Sequence, residues 1–188
     1  LNAAYEIVGD AEKRKAFVDN VASRFDFDVV DSPTLEAATR DASIVTLVTR
    51  AKDPFLRASM LARGAHLNAV GAILPASAEF DQDVFDRTGM IAVDDVPNAR
   101  RASRELIERF GSDDAAWGAV KPLGELIARG TGRPSGTDVT IFKSMGMGIS
   151  DLSVAMLVLE RAREQGAGQS IPHPKRAVPR WNTTAVKV

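Results

Sequence analysis

The sequence predicts an α/β protein built on a doubly wound parallel β-sheet. Three observations carry that expectation. Short apolar, β-branched runs alternate with amphipathic stretches along the chain, which is the pattern of repeated βαβ units. The run SIVTLVT at residues 43–49 is mostly β-branched and apolar, as expected of a central parallel strand buried on both faces. Turn and cap residues punctuate the boundaries, among them Asp31, Ser32 and Pro33, then Gly71, then Asp94 and Asp95, then Gly130. At 188 residues the chain is long enough for one domain with a well-buried core.

The elements follow in order. Residues 4–8 read as a short strand. Asp10 opens a helical pattern with Ala16, Phe17, Val21 and Ala22 on one face. Residues 27–30 are a second strand, and Pro33 starts a short helix over 35–38. After the strand at 43–49 come a short helix at 56–61 and a buried strand at 65–70 ending at Gly71. A helix at 80–87, a strand at 90–93 and a helix at 96–110 follow. Residues 111–118 are a polar loop. A helix at 120–129 ends at Gly130, and 130–138 is a Gly/Pro/Ser loop. Residues 139–142 form the last strand and 151–165 a long helix. Residues 166–188 contain three prolines and little periodicity. Ligands of such a sheet sit at the carboxyl ends of its strands.

Composition excludes several classes. The 24 basic and 25 acidic side chains leave a net charge of −1, with no basic excess for nucleic acid or an anionic membrane. Cysteine is absent, so there is no disulfide, thiolate nucleophile or cysteine-based zinc site. A reducing, cytoplasmic setting is expected. The apolar runs fall short of the roughly 18–20 residues that span a bilayer. His66 has no second ligand at metal spacing, so no metal is expected. The chain opens on Leu1 and enters strand-like sequence quickly, so it is expected to start inside a longer gene product.

A dinucleotide fold normally carries G-x-G-x-x-G after its first strand, where glycines let backbone approach a pyrophosphate. No such motif occurs. GTGRPSG at 130–136 follows a helix and precedes a strand, the reverse of the required context, and reads as a connecting loop. GMG at 146–148 follows a strand and precedes a helix, but the third glycine position holds Asp151. A lone G-x-G reads either as a tight turn or as part of a ligand loop.

Four stretches carry a resemblance: DASIVTLVTRAKDP (41–54), GAHLNAVGAILPASAEFD (64–81), VDDVPNARRASREL (93–106) and the span 125–168. The last is the most specific, with a G-R-x-S loop, a T-x-F-K-S-x-G strand end and an aspartate-led helix start in that order. Together they resemble the ornithine cyclodeaminase/mu-crystallin family. The resemblance implies a Rossmann-like fold lacking, in this chain, its first strand and glycine loop. It also implies that the family's N-terminal domain, with its catalytic lysine and carboxylate-binding arginine, lies before Leu1. Residues 1–150 are then an incomplete NAD(P)-binding domain. Residues 151–188 are a helix and tail that return to the other domain. No catalytic residue is assigned.

The family implies an NAD(P)-dependent oxidoreductase of amino or imino acids, with a small-molecule substrate and a homodimer as the complete protein. The cofactor is NAD, with NADP left open. Asp10 either accepts from the adenosine ribose hydroxyls or caps a helix, and Lys13 and Arg14 can still accommodate a 2′-phosphate. Thr49 and Arg50 end a strand that lies beside the dinucleotide in the family, as do Asn68, Val70 and Gly71 on the next. Ser144 and Gly146 match the strand end beside the nicotinamide. Lys143 points either into the cleft or to solvent, Glu79 is either the family's acid or a solvated charge, and Asp151 is either a helix N-cap or a site residue at that helix start.

Position 73 separates activities. Cyclodeaminases of the family place an aspartate there, able to activate water or the amino group. Ile73 does neither, which favours a reductase or dehydrogenase. Two alternatives remain: an ornithine cyclodeaminase, and a non-catalytic cofactor- or ligand-binding protein of mu-crystallin type. Without the glycine loop the pyrophosphate loses its backbone donors, and this chain alone is expected to bind cofactor poorly.

Overall fold

Short parallel strands, each followed by a connection that crosses to the next, organise the chain. The computed structural model describes residues 3–5 and 11–172. Residues 1–147 and 148–188 form two units.

In the first unit, β1 (Ala3–Tyr5) and β2 (Val29–Asp31) pair in parallel as a two-stranded sheet. Helix α1 (Ala11–Ala22) connects them, and Arg14 Nε meets Asp31 Oδ1 at 2.9 Å. Helix α2 (Leu35–Thr39) starts where the Thr34 hydroxyl accepts from the Ala37 amide, as a threonine cap should.

The main sheet holds β3 (Ile44–Leu47), β4 (His66–Ala69), β5 (Thr88–Val93), β6 (Val120–Pro122) and β7 (Val139–Lys143). All pairs are parallel and the order is β3-β4-β7-β5-β6. The last strand in sequence is therefore central in space. One face alternates into the core: Val45 and Leu47, Leu67 and Ala69, Ile91 and Val93, Val139 and Ile141 are all buried. They pack with Leu56, Phe80, Val84, Phe85, Leu106 and Trp117 in one cluster. Rings Phe80, Phe85, Phe110 and Trp117 follow one another with centroids 5.4–6.1 Å apart.

Several elements differ from the sequence expectation. Strand β3 is an edge strand with exposed Ile44 on one face, not a strand buried on both. The expected helix over 96–110 is broken at Ser103 into α3 (Val96–Ala102) and α4 (Arg104–Phe110). Ser103 is extended there (ψ 108°), and its hydroxyl caps Leu106 while donating to Glu105. The expected helix over 120–129 begins as strand β6, with Pro122 at its end, before α6 (Leu123–Ala128). An edge strand tolerates a proline because no neighbour needs its missing donor. Residues 58–60 and 82–87 are 3₁₀ turns. The expected loop 111–118 contains α5 (Asp114–Trp117), capped by the Asp113 carboxylate.

At the amino-terminal edge of the sheet, Arg87 grips Asp138 through Nε and Nη2 at 2.9 and 3.0 Å. Arg87 also donates to the carbonyls of Ala58, Leu61 and Ala62. Arg133, from the G-R-x-S loop, donates to the carbonyls of Ala65, Thr137 and Asp138. That loop therefore ties the sheet together at the end away from the strand C-termini.

In the second unit, α7 (Gly148–Glu164) begins three residues before Asp151, which lies in its first turn and does not cap it. Ile149, Leu152, Met156 and Leu159 are exposed on it.

The Arg87 guanidinium, and behind it the Gly64 amide, hold the Asp138 carboxyl down from 3.8 to about 2. A depressed carboxylate stabilises the fold above its unfolded value, and that contribution disappears as pH falls through its folded value. The expected outcome is that wild type and Asp138→Asn differ in unfolding midpoint at pH 5–7 (a range chosen to lie above the carboxyl titration). Their midpoints should converge between pH 3.8 and about 2. Urea denaturation at stepped pH checks it.

Candidate functional site

Parallel register sets four strand ends side by side. Leu47, Ala69, Lys143 and Val93 lie in one row across β3, β4, β7 and β5. Beyond that row the chain leaves the sheet at Val48–Thr49, Val70–Gly71, Ser144–Met145 and Asp94–Asp95. Two carboxylates organise the loops that begin there.

The first is Glu79, fully buried. Its Oε1 accepts from the Thr49 amide (2.6 Å) and hydroxyl (2.8 Å). Its Oε2 accepts from the amides of Gly71 (2.9 Å) and Ala72 (3.2 Å). One side chain thus joins the loop after β3 to the loop after β4. Gly71 is required by this closeness: a Cβ there would lie 2.1 Å from both Thr49 N and Thr49 O. The Glu79 amide in turn donates to Glu105 Oε1 at 3.1 Å.

Glu105 is also fully buried and receives Lys143 Nζ at 3.3 Å and the Ser103 hydroxyl at 3.0 Å. Lys143 donates its other bond to the Ala72 carbonyl at 2.6 Å. Lys143 therefore points neither into a cleft nor to solvent. It is a core lysine that ties β7 to α4 and to the loop after β4. Glu79 is not a solvated charge.

The second carboxylate is Asp94, at the end of β5. Its oxygens accept from the Ser144 hydroxyl (2.9 Å) and from the amides of Met145 (2.9 Å) and Gly146 (2.7 Å). Asp95 beside it caps α3 through the Asn98 amide at 2.6 Å.

Of the residues singled out from sequence, Thr49 and Gly71 are brought together by Glu79, and Ser144 and Gly146 by Asp94. Val70 is half-buried, with its amide on the Leu47 carbonyl, and Arg50 is exposed at the end of β3. Asn68 lies apart, in a polar ladder across the sheet face opposite Leu67 and Ala69. There it meets His66 Nε2 at 3.0 Å and Thr46 Oγ at 3.2 Å, while His66 Nδ1 meets Thr140 Oγ at 2.7 Å. Both of its side-chain polar atoms are thereby engaged, and His66 serves this ladder. Asp10 lies outside the described residues. Among the described residues no cluster of histidine and carboxylate groups suits a metal ion, and no helix is long and apolar enough to cross a membrane.

Sequence reasoning passed over Asp94 and Glu105. A signal existed for both. Each acid adjoins an apolar stretch in a position where a buried carboxylate must find backbone or hydroxyl donors.

The arrangement takes up five backbone donors at this edge of the sheet. The amides of Thr49, Gly71, Ala72, Met145 and Gly146 all point at internal carboxylates. Beside them a ligand meets the lone pairs of the Ser144 hydroxyl, whose hydrogen is on Asp94, the exposed Arg50, and the apolar side chains of Ile73 and Leu74, which are 45% and 62% exposed in the loop after β4.

Comparison with known proteins fits this architecture. The model of the ornithine cyclodeaminase/mu-crystallin family matches residues 5–166. A Δ1-pyrroline-2-carboxylate reductase of Bacillus cereus is 29% identical over 162 residues, which are 85% of this chain and 50% of that one. A solved archaeal alanine dehydrogenase dimer with bound NAD is 29% identical with a TM-score of 0.69, covering 84% of this chain and 48% of that one. The Δ1-pyrroline-2-carboxylate reductase of Thermococcus litoralis, solved with NADH and L-proline, shares the fold. Its TM-score is 0.78 at 24% identity, over 90% of this chain and 53% of that one. The chain spans about half the length of the curated relatives it matches.

Removing one partner of a buried ion pair strands the other charge, at a cost of about 3–5 kcal/mol. Lys143→Met should destabilise the protein by that order. Adding Glu105→Gln to it should recover part of the loss, giving a coupling well above zero in a double-mutant cycle. Equilibrium urea unfolding of the four proteins measures it.

Proposed function

The chain belongs to the ornithine cyclodeaminase/mu-crystallin family, and from that premise we propose that the protein is an NAD(P)-dependent oxidoreductase of amino or imino acids. The observation that carries this reading is the state of the carboxylates at the strand ends. Glu79, Asp94 and Asp95 are each committed to backbone amides. Position 73, where the family's cyclodeaminases have an acid, holds a half-exposed isoleucine. Among the described residues at this edge, the remaining task is positioning, which suits hydride transfer.

The donor set also says which part of a dinucleotide these residues fit. A diphosphate needs free backbone amides, and those of Thr49, Gly71, Ala72, Met145 and Gly146 are held internally. The nicotinamide half needs acceptors for its carboxamide and apolar surface for its ring, and both are present. When bound, the nicotinamide supplies or takes the hydride. Thr49, Gly71, Ser144 and Gly146 hold the floor on which it rests, and Ile73 and Leu74 exclude water beside it. Residues 1–150 act as the cofactor domain, and NAD is favoured because an acid at sequence position 10 suits ribose hydroxyls and repels a 2′-phosphate. Residues 151–188 return to another domain, a reading supported by the exposed apolar side of α7. The complete protein works as a homodimer on a small amino or imino acid.

The test is an assay of the full-length protein with NADH and NADPH against a cyclic imine carboxylate, and against pyruvate plus ammonia. The expected outcome is consumption of reduced cofactor with one of these, NADH preferred, and no ammonia from ornithine. Ammonia release from ornithine without net cofactor turnover overturns the reading in favour of a cyclodeaminase.

A further inference from the structure

The loop after β7 has the shape of an anion site. Gly146 sits at φ +79°, in the left-handed region that glycine favours. A turn of this kind points successive amides at one place, and such nests bind phosphate and carboxylate. In this protein the place is filled from inside. Asp94 Oδ2 accepts from the Gly146 amide at 2.7 Å, the Met145 amide at 2.9 Å and the Ser144 hydroxyl at 2.9 Å. Its Oδ1 accepts from the Met145 amide at 3.0 Å and the Asp95 amide at 2.9 Å. The carboxylate is delivered by register: Val93 pairs with Lys143, so the residues that follow each strand are neighbours. The loop is braced once more by Asn98, whose Nδ2 donates to the Gly146 carbonyl at 3.4 Å.

We propose that Asp94 is a specificity-determining positioning residue that converts this loop from an anion nest into an acceptor surface. With its hydrogen committed to Asp94, the Ser144 hydroxyl faces a ligand with lone pairs only. An amide N–H donor is accepted there, and the carboxamide of a nicotinamide is such a donor. A phosphate is refused twice, because the amides are taken and a negative charge stands in their place. The nicotinamide part of this statement rests on the oxidoreductase reading above. The refusal of phosphate does not.

Two measurements on the full-length protein separate these parts. The first follows the Met145 and Gly146 amide resonances during titration with inorganic phosphate. No shift is expected in wild type, and a saturable shift is expected in Asp94→Ala, where the nest is opened. A saturable shift in wild type, or none in Asp94→Ala, overturns the proposal. The second compares binding of NADH with that of ADP-ribose, which lacks the nicotinamide. Asp94→Ala and Ser144→Ala should each weaken NADH by about tenfold, the size of one lost charge-assisted or neutral hydrogen bond. Both should leave ADP-ribose unchanged. Ser144→Ala keeps the carboxylate on its amides, so it should still refuse phosphate, and it stands in if Asp94→Ala does not fold. Equal loss of NADH and ADP-ribose means that the loop serves only the fold, and overturns the positioning role. If wild type binds neither NADH nor ADP-ribose, the oxidoreductase reading fails, while the phosphate titration still decides the role of Asp94.

Discussion

A carboxylate buried where two parallel strands end has to be satisfied from every side, because an unpaired charge in that place costs a large share of a domain's marginal stability. Glu79 meets that demand with donors from Thr49, Gly71 and Ala72. Much else follows from it. The loops after β3 and β4 are drawn so close that position 71 has no room for a Cβ. The Glu79 amide is turned toward Glu105, whose charge requires a cation, and Lys143 supplies it from the central strand. Lys143 then fastens the Ala72 carbonyl, closing a circuit through β3, β4, β7 and α4.

The same physical device recurs at β5. Asp94 reaches across to the loop after β7 and takes up its amides, as Glu79 takes up those after β3 and β4. Two internal acids thus neutralise two sets of strand-end donors. Five amides at this edge of the parallel sheet are thereby turned away from a ligand. That property ties the fold to the proposed chemistry, since a nicotinamide and an imine need orientation more than they need an anion cradle.

Much of the architecture was legible in the sequence. The β-branched run at 43–49, the strand expected at 65–70 and the short run at 139–142 became β3, β4 and β7, within a residue or two at each end. The reversed context of GTGRPSG correctly argued for a connecting loop, and Arg133 serves the opposite edge of the sheet. Strand order was not legible, because parallel pairing is decided by which runs bury one another and leaves no local mark. The break at Ser103 was missed because a serine in an amphipathic run reads as a tolerated helix residue. Its cap on Leu106 and its bond to Glu105 are tertiary facts. Lys143 was open to a better reading. It follows Val139 and Ile141 at two-residue spacing, so the pleat places it on their buried face, and a buried lysine calls for an acid. The acid, Glu105, is 38 residues away in sequence, a distance no pattern spans.

Glu79 makes one floor of two strand ends. Amide hydrogen exchange at Thr49, Gly71 and Ala72 tests it most directly. In wild type these three amides should be protected together. In Glu79→Gln, which offers one acceptor oxygen and turns an NH₂ group toward the donors, their protection should fall together, while Leu67 and Ile141 in the sheet centre keep theirs. Three amides that exchange independently in wild type, or that keep wild-type protection in Glu79→Gln, would contradict the account.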